Sequence, residues 1–83
     1  MFYEFDRPKI PKEVLDQCYS VVLYDDDIVK PYQIRKWARQ HCQSYLWMEE
    51  LDISDFSPEY DYAFTFYFTK EADQLMFRLK YGG

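Results

Sequence analysis

Glycine is nearly missing from this chain: the only two are Gly82 and Gly83, its last residues. Phosphate-cradling loops need glycine so that backbone amides can approach the ligand, which excludes a Gly-rich nucleotide site. The G-x-S-x-G turn of hydrolases is excluded too, since Ser20, Ser44, Ser54 and Ser57 have no nearby glycine to shape an oxyanion hole. Histidine occurs once, at His41, and cysteine twice, at Cys18 and Cys42, without HExxH or CxxC spacing. A zinc site would have too few ligands, so no metal or cofactor is expected. Both cysteines read as free small hydrophobes of a reducing compartment, a Cys18–Cys42 disulfide being the alternative. His41, on or near an apolar helix face, reads as a hydrogen-bonded packing residue, since no partner is visible to orient it as a base. Adjacent Glu49 and Glu50 would point to opposite faces of a strand rather than across one bond. An enzyme is not expected. No apolar run approaches the roughly 20 residues of a membrane span, and residues 1–10 lack the basic-then-apolar order of a secretory leader. The expectation is a cytoplasmic protein with no membrane association.

What the chain does have is aromatic mass and unevenly placed acid. Nine Tyr, seven Phe and two Trp in 83 residues can bury roughly 150–250 Å² each, which gives a small single domain an unusually heavy core. Net charge is −5. Residues 1–43 carry seven acids and seven bases, so the deficit lies in the second half. Glu49, Glu50, Asp52, Asp55, Glu59 and Asp61 follow one another there with no Lys or Arg among them. Such a run projects a negative field. It serves either as a solvated loop that keeps a tyrosine-rich chain dispersed or as a docking surface for a basic groove. On the second reading those six carboxylates, with Tyr60 and the outward-facing Tyr67, bind the partner.

The best-specified unit is at the carboxyl end. Tyr62, Phe64, Phe66 and Phe68 alternate with Ala63, Thr65 and Tyr67, and after Thr69 the apolar period becomes helical through Ala72, Leu75, Met76 and Leu79. The reading is a strand over about 61–68 followed by a helix over about 70–80, with Thr69 as its cap and the phenylalanine face packed under Leu75, Met76 and Leu79. Tyr45, Trp47 and Leu51 alternate with Leu46 and Met48, giving a second strand over about 44–52 and hence a hairpin with a long acidic loop. Pro31 and the face Ile34, Trp37, Ala38 and His41 predict a helix over about 31–43, whose opposite face carries Arg35, Lys36 and Arg39. Val14, Leu15, Cys18, Val21 and Val22 have helical spacing, predicting a helix over about 12–22. The competing reading is a strand over 18–24, because Val21 to Tyr24 favour strands, giving βαββα. Residues 1–11, with Phe2, Tyr3, Phe5 and two prolines, read as an extended aromatic arm. The fold class is a two-layer α+β domain spanning 1–83, helices covering one face of a small antiparallel sheet.

The stretch Phe64-Thr65-Phe66-Tyr67-Phe68-Thr69-Lys70-Glu71-Ala72-Asp73-Gln74-Leu75-Met76-Phe77-Arg78-Leu79-Lys80-Tyr81 resembles small proteins of tailed bacteriophages. Those proteins close on an aromatic strand, an acidic Glu-(Glu/Ala)-Asp helix start and a Phe-x-Leu-Arg/Lys-aromatic end. The resemblance covers about a quarter of the chain and implies a viral origin, hence a host cytoplasm, and no catalytic residue. Arg78-Leu79-Lys80-Tyr81-Gly82-Gly83 also resembles the tail of ubiquitin-like modifiers, although that tail leaves a strand and here the preceding spacing is helical.

Three function classes follow. The first is a small acidic, non-enzymatic module that binds a host or viral protein, as an inhibitor of a defence system or host enzyme, with mimicry of nucleic-acid phosphates as one version. The second is a virion or assembly component, in which an open hairpin edge pairs two copies as a homodimer. The third is a sheet that stacks single-stranded nucleic acid on Tyr62, Phe64, Phe66, Phe68, Tyr45 and Trp47. A chain of net negative charge supplies phosphates poorly with positive charge, so nucleic acid is the least expected partner.

Overall fold

A strand that alternates large rings with small residues can bury one whole face, and a strand with bonds on both edges satisfies every backbone group. The segment Tyr62–Phe68 meets both conditions. In the computed structural model, which describes residues 10–82, it is the middle strand of a three-stranded antiparallel sheet. In chain order the elements are α1 (Lys12–Asp16), β1 (Tyr19–Asp25), α2 (Val29–His41), β2 (Tyr45–Asp52), β3 (Tyr62–Phe68) and α3 (Glu71–Tyr81). The sheet order is β1-β3-β2. β1 and β2 therefore run parallel to each other, joined by α2, with β3 inserted between them: a split β-α-β unit closed by a final helix. The α+β class is as expected.

The expected helix over 12–22 is overturned in favour of its competitor. Only Lys12–Asp16 is helical, and β1 then pairs with β3 from Tyr19 opposite Phe68 to Asp25 opposite Tyr62. The local helical spacing of Val14 to Val22 loses because the strand form places Val21 and Leu23 opposite Phe66 and Phe64. β-branched residues also fit that half-buried, pleated surface. β3 is thus bonded on both sides, and the hairpin does not stand alone. β2 pairs on the other flank, from Tyr45 opposite Phe68 to Asp52 opposite Tyr62, with a bulge between Tyr45 and Trp47. The arm expected over 1–11 falls, through residue 9, outside the described residues.

The core lies between the sheet and the two longer helices. Phe64, Phe66 and Phe68 are fully buried, joined by Val21, Ile34, Ala38, Cys42, Met48 and Phe77. α2 both begins and ends two residues earlier than expected. The turn before it is built by carboxylates: the Asp27 amide donates to Asp25 Oδ1 at 3.1 Å, and the Val29 amide to Asp27 Oδ1 at 3.1 Å. Pro31, buried, sits in the first turn, where its missing N–H costs nothing. His41, expected among the packing residues, is exposed at the far end, its ring stacked on Trp37 at 4.6 Å and its Nδ1 3.0 Å from the Trp37 carbonyl oxygen.

α3 presents a different face from the one expected. Phe77 is fully buried, while Leu75, Met76 and Leu79 are 49%, 38% and 90% exposed. The Phe77 ring lies 4.8 Å from that of Phe66 and 5.2 Å from that of Phe68, and Tyr81 continues the contact one turn on, 5.2 Å away. Aromatic area explains the choice, since a ring buries more surface than Leu or Met and gains from tilted contacts with its neighbours. A polar anchor fixes the same rotation. The Ser44 amide donates to Asp73 Oδ2 at 2.9 Å, the Lys70 amide to Ser44 Oγ at 3.1 Å, and the Thr69 amide to the Ser44 carbonyl at 3.0 Å. The expected Thr69 side-chain cap is absent: Lys70 is the cap residue, with no side-chain capping bond. Its amide is satisfied instead by Ser44, on the other side of the molecule in sequence. Because α3 runs as far as Tyr81, the closing Arg-Leu-Lys-Tyr belongs to a helix, unlike the strand-borne tail of the modifiers.

Candidate docking surface

Two acidic segments, far apart in sequence, meet at one end of the sheet. Register brings Asp25 of β1 and Asp52 of β2 to either side of Tyr62 in β3. Beyond that row the turn Asp25–Asp27 and the loop 53–61 are tied together. The Asp61 amide donates to Asp26 Oδ1 at 3.1 Å, and the Tyr24 and Tyr60 rings stack at 5.8 Å. Residues 24–30 and 51–62 carry seven carboxylates against one base, Lys30. The field over this end is accordingly negative.

The loop has internal order. The Ile53 amide donates to the Asp61 carbonyl at 2.8 Å, closing its base, and the Phe56 and Ser57 amides both donate to the Ile53 carbonyl at 2.9 Å. Ser57 Oγ accepts from the amides of Glu59 and Tyr60 at 3.2 Å each. At the entry Asp52 Oδ1 accepts from the Ser54 amide at 2.9 Å and its hydroxyl at 2.7 Å. These two bonds, the backbone one first, hold the Asp52 carboxyl below the usual carboxylate range. Compact loops packed by their own side chains present surface residues in fixed positions. The residue presented here is Phe56, 81% exposed, and Tyr60, Tyr24 and Leu51 are exposed as well.

The expected partner-binding set is divided by the fold. Asp52, Asp55, Glu59, Asp61 and Tyr60 belong to the acidic end, where they join Asp25, Asp26 and Asp27 of the turn after β1. Glu50 lies on the helix-covered side and accepts from the Tyr32 hydroxyl at 2.9 Å. Glu49 lies on the opposite face of the sheet, where it accepts from the Tyr67 hydroxyl at 3.4 Å. Tyr67 is half-buried. Burial, then the Glu49 charge and hydrogen bond, with smaller contributions from Asp16 and Cys18, push its phenol up. Phe56 was missed as a candidate because the sequence reading weighed the loop by its charge. A lone aromatic among Asp, Ser and Pro was the available signal.

Two other regions carry less. A groove of about 260 Å³ runs between α2 and β2, lined by Arg35, Arg39, Gln43 and residues 45–48, and the Arg35 guanidinium lies over the Tyr32 ring at 5.8 Å. Of the six rings that could stack bases, Phe64, Phe66 and Phe68 are inside the core, which removes them from any such role. Cys18 and Cys42 are both free thiols, and burial, followed by the Asp73 charge, pushes the Cys42 thiol up. Among the described residues no three potential metal ligands cluster, and no helix is long and apolar enough to cross a membrane.

Compared with known proteins, the chain matches no family model, no curated protein and no solved structure.

Proposed function

We propose that this chain is a non-catalytic binding module that docks a basic protein surface on its acidic end. The observation that carries the reading is the joining of Asp25–Asp27 to the loop 53–61 through Asp26, Asp61, Tyr24 and Tyr60, with Phe56 held out on that loop. Negative charge around an exposed ring combines what recognition of a basic surface needs: carboxylates to steer and orient the partner, and an aromatic anchor to fill a pocket. Seven carboxylates on this end, those of Asp25, Asp26, Asp27 and Asp52 held by hydrogen bonds, also resemble the repeated negative charges of a phosphate backbone, so a nucleic-acid-binding protein is the natural class of partner. The resemblance of residues 64–81 to tailed-phage proteins supports a phage-encoded chain that acts on a host protein of this kind.

The test is affinity capture from bacterial lysate on the immobilised chain, beside the triple variant Asp55→Lys, Glu59→Lys, Asp61→Lys and the variant Phe56→Ala. A partner captured at low salt should be released by raising the salt, as expected of an exposed charged contact. It should be lost with the triple variant and weakened with Phe56→Ala, while Glu49→Lys leaves it in place. Capture indifferent to the triple reversal refutes the reading.

A further inference from the structure

α3 carries two apolar stripes, and the fold uses one. Phe77 and Tyr81 turn to the sheet. Ala72, Leu75, Met76 and Leu79, spaced i, i+3, i+4, i+7, form a second stripe on the other side of the helix. All four are exposed, Leu79 to 90%. The stripe is bordered by charge of both signs, arranged by position: Glu71 in the first turn and Arg78 in the last. These two are seven residues apart, so they lie two turns apart on the same flank.

We propose that this stripe is a dimerisation surface, on which α3 of a second copy packs antiparallel about a two-fold axis. In an isologous contact each stripe meets itself, and in an antiparallel helix pair the same flank of both helices comes together with its ends reversed. Glu71 of each copy therefore faces Arg78 of the other, forming two equivalent ion pairs at the rim of a Leu75, Leu79 and Met76 centre. A parallel arrangement would bring opposite flanks together and set Glu71 beside Asp73 and Arg78 beside Lys80, like charge against like. The antiparallel one also sets the positive end of each helix beside the negative end of the other. A basic partner helix would satisfy Glu71 but meet Arg78 and Lys80, and an anionic membrane would meet Glu71 and Asp73. Self-association suits both ends of the stripe. The 11 residues of α3 span only about 16 Å, so the contact is smaller than a standard stable interface of roughly 1,200–2,000 Å². The dimer is accordingly concentration-dependent, forming between about 10 µM and about 1 mM.

Sedimentation equilibrium of the full chain over that range tests this, with circular dichroism to verify folding. Leu79→Glu, at an exposed position, should keep the spectrum and weaken dimerisation at least about tenfold, since the two-fold axis counts the change twice. Glu71→Arg should weaken it by a smaller factor, and adding Arg78→Glu to that variant should restore it. A wild-type chain monomeric to about 1 mM, or a dimer indifferent to Leu79→Glu, overturns the proposal. Failure of Arg78→Glu to rescue overturns the antiparallel pairing. None of these readouts depends on the acidic end.

Discussion

Replacing Phe77 by alanine tests the packing of the whole domain. The ring is fully buried and contacts Phe66, Phe68, Tyr81 and Trp37 at 4.8, 5.2, 5.2 and 6.4 Å between centroids. Its neighbours belong to a strand and two helices, which cannot close the void without moving α3 off the sheet. Buried Phe→Ala changes cost about 3–5 kcal/mol, and the number of ring contacts places this one near about 4–5. A domain of this length has about 4–12 kcal/mol in total, so the variant should be marginal at room temperature. With a urea slope of about 1.5 kcal/mol per molar, the midpoint should fall by about 3 M. The control is Leu79→Ala, which the helical period alone would rank as a core loss of about 2–5 kcal/mol. At 90% exposure it should instead lie within about 0.5 kcal/mol of wild type. Both are read by urea titration of tryptophan fluorescence at low micromolar concentration, below the range proposed for dimerisation, with Trp37 reporting on the Phe77 contact. A larger loss for Leu79→Ala than for Phe77→Ala would refute the assigned rotation of α3, and with it the exposed stripe.

Ser44→Ala should cost about 1–3 kcal/mol, because it leaves the Lys70 amide without its acceptor in a part-buried position; Thr69→Ala, which removes no capping bond, should stay within about 0.5 kcal/mol. Equal losses in the two variants would return the cap to Thr69. Stability should also decline at alkaline pH. Burial raises Cys42, Tyr67 and Tyr81 in the folded state, so the folded chain holds protons that the unfolded chain releases. Their contribution is complete below the unfolded thiol and phenol values, about 8.5 and about 10, and is lost as pH rises past them. Urea midpoints at successive pH values should show that decline, with a shallower slope in Tyr67→Phe, whose ring keeps its packing and gives up the titrating group. An identical slope would mean that neither burial nor Glu49 raises the Tyr67 phenol on folding.

Much of the architecture is written locally. The alternation from Tyr62 to Phe68 can bury a face only as a strand, and the shift of period after Thr69 allows only a helix. Ile34, Trp37 and Ala38 mark α2 in the same way, and the acidic run through the β2–β3 loop is plain in composition. These readings hold because each rests on one period with no rival of comparable strength. Elsewhere two local answers compete, and contacts distant in sequence decide. Val14 to Tyr24 has the spacing of a helix and the residue types of a strand. The free edge of β3, about 40 residues away, selects the strand from Tyr19 onward because it satisfies backbone groups and covers Phe64 and Phe66 at once. α3 offers an aliphatic stripe and an aromatic one. The larger buried area of Phe77 and Tyr81, with Asp73 held by the Ser44 amide, turns the aromatic stripe inward. The acidic end is likewise a tertiary product. Composition announces the carboxylates, but only the sheet register and the Asp26–Asp61 bond separate Glu49 and Glu50 from them and bring in Asp25 to Asp27, since which charges are neighbours is set by strand pairing and not by order along the chain.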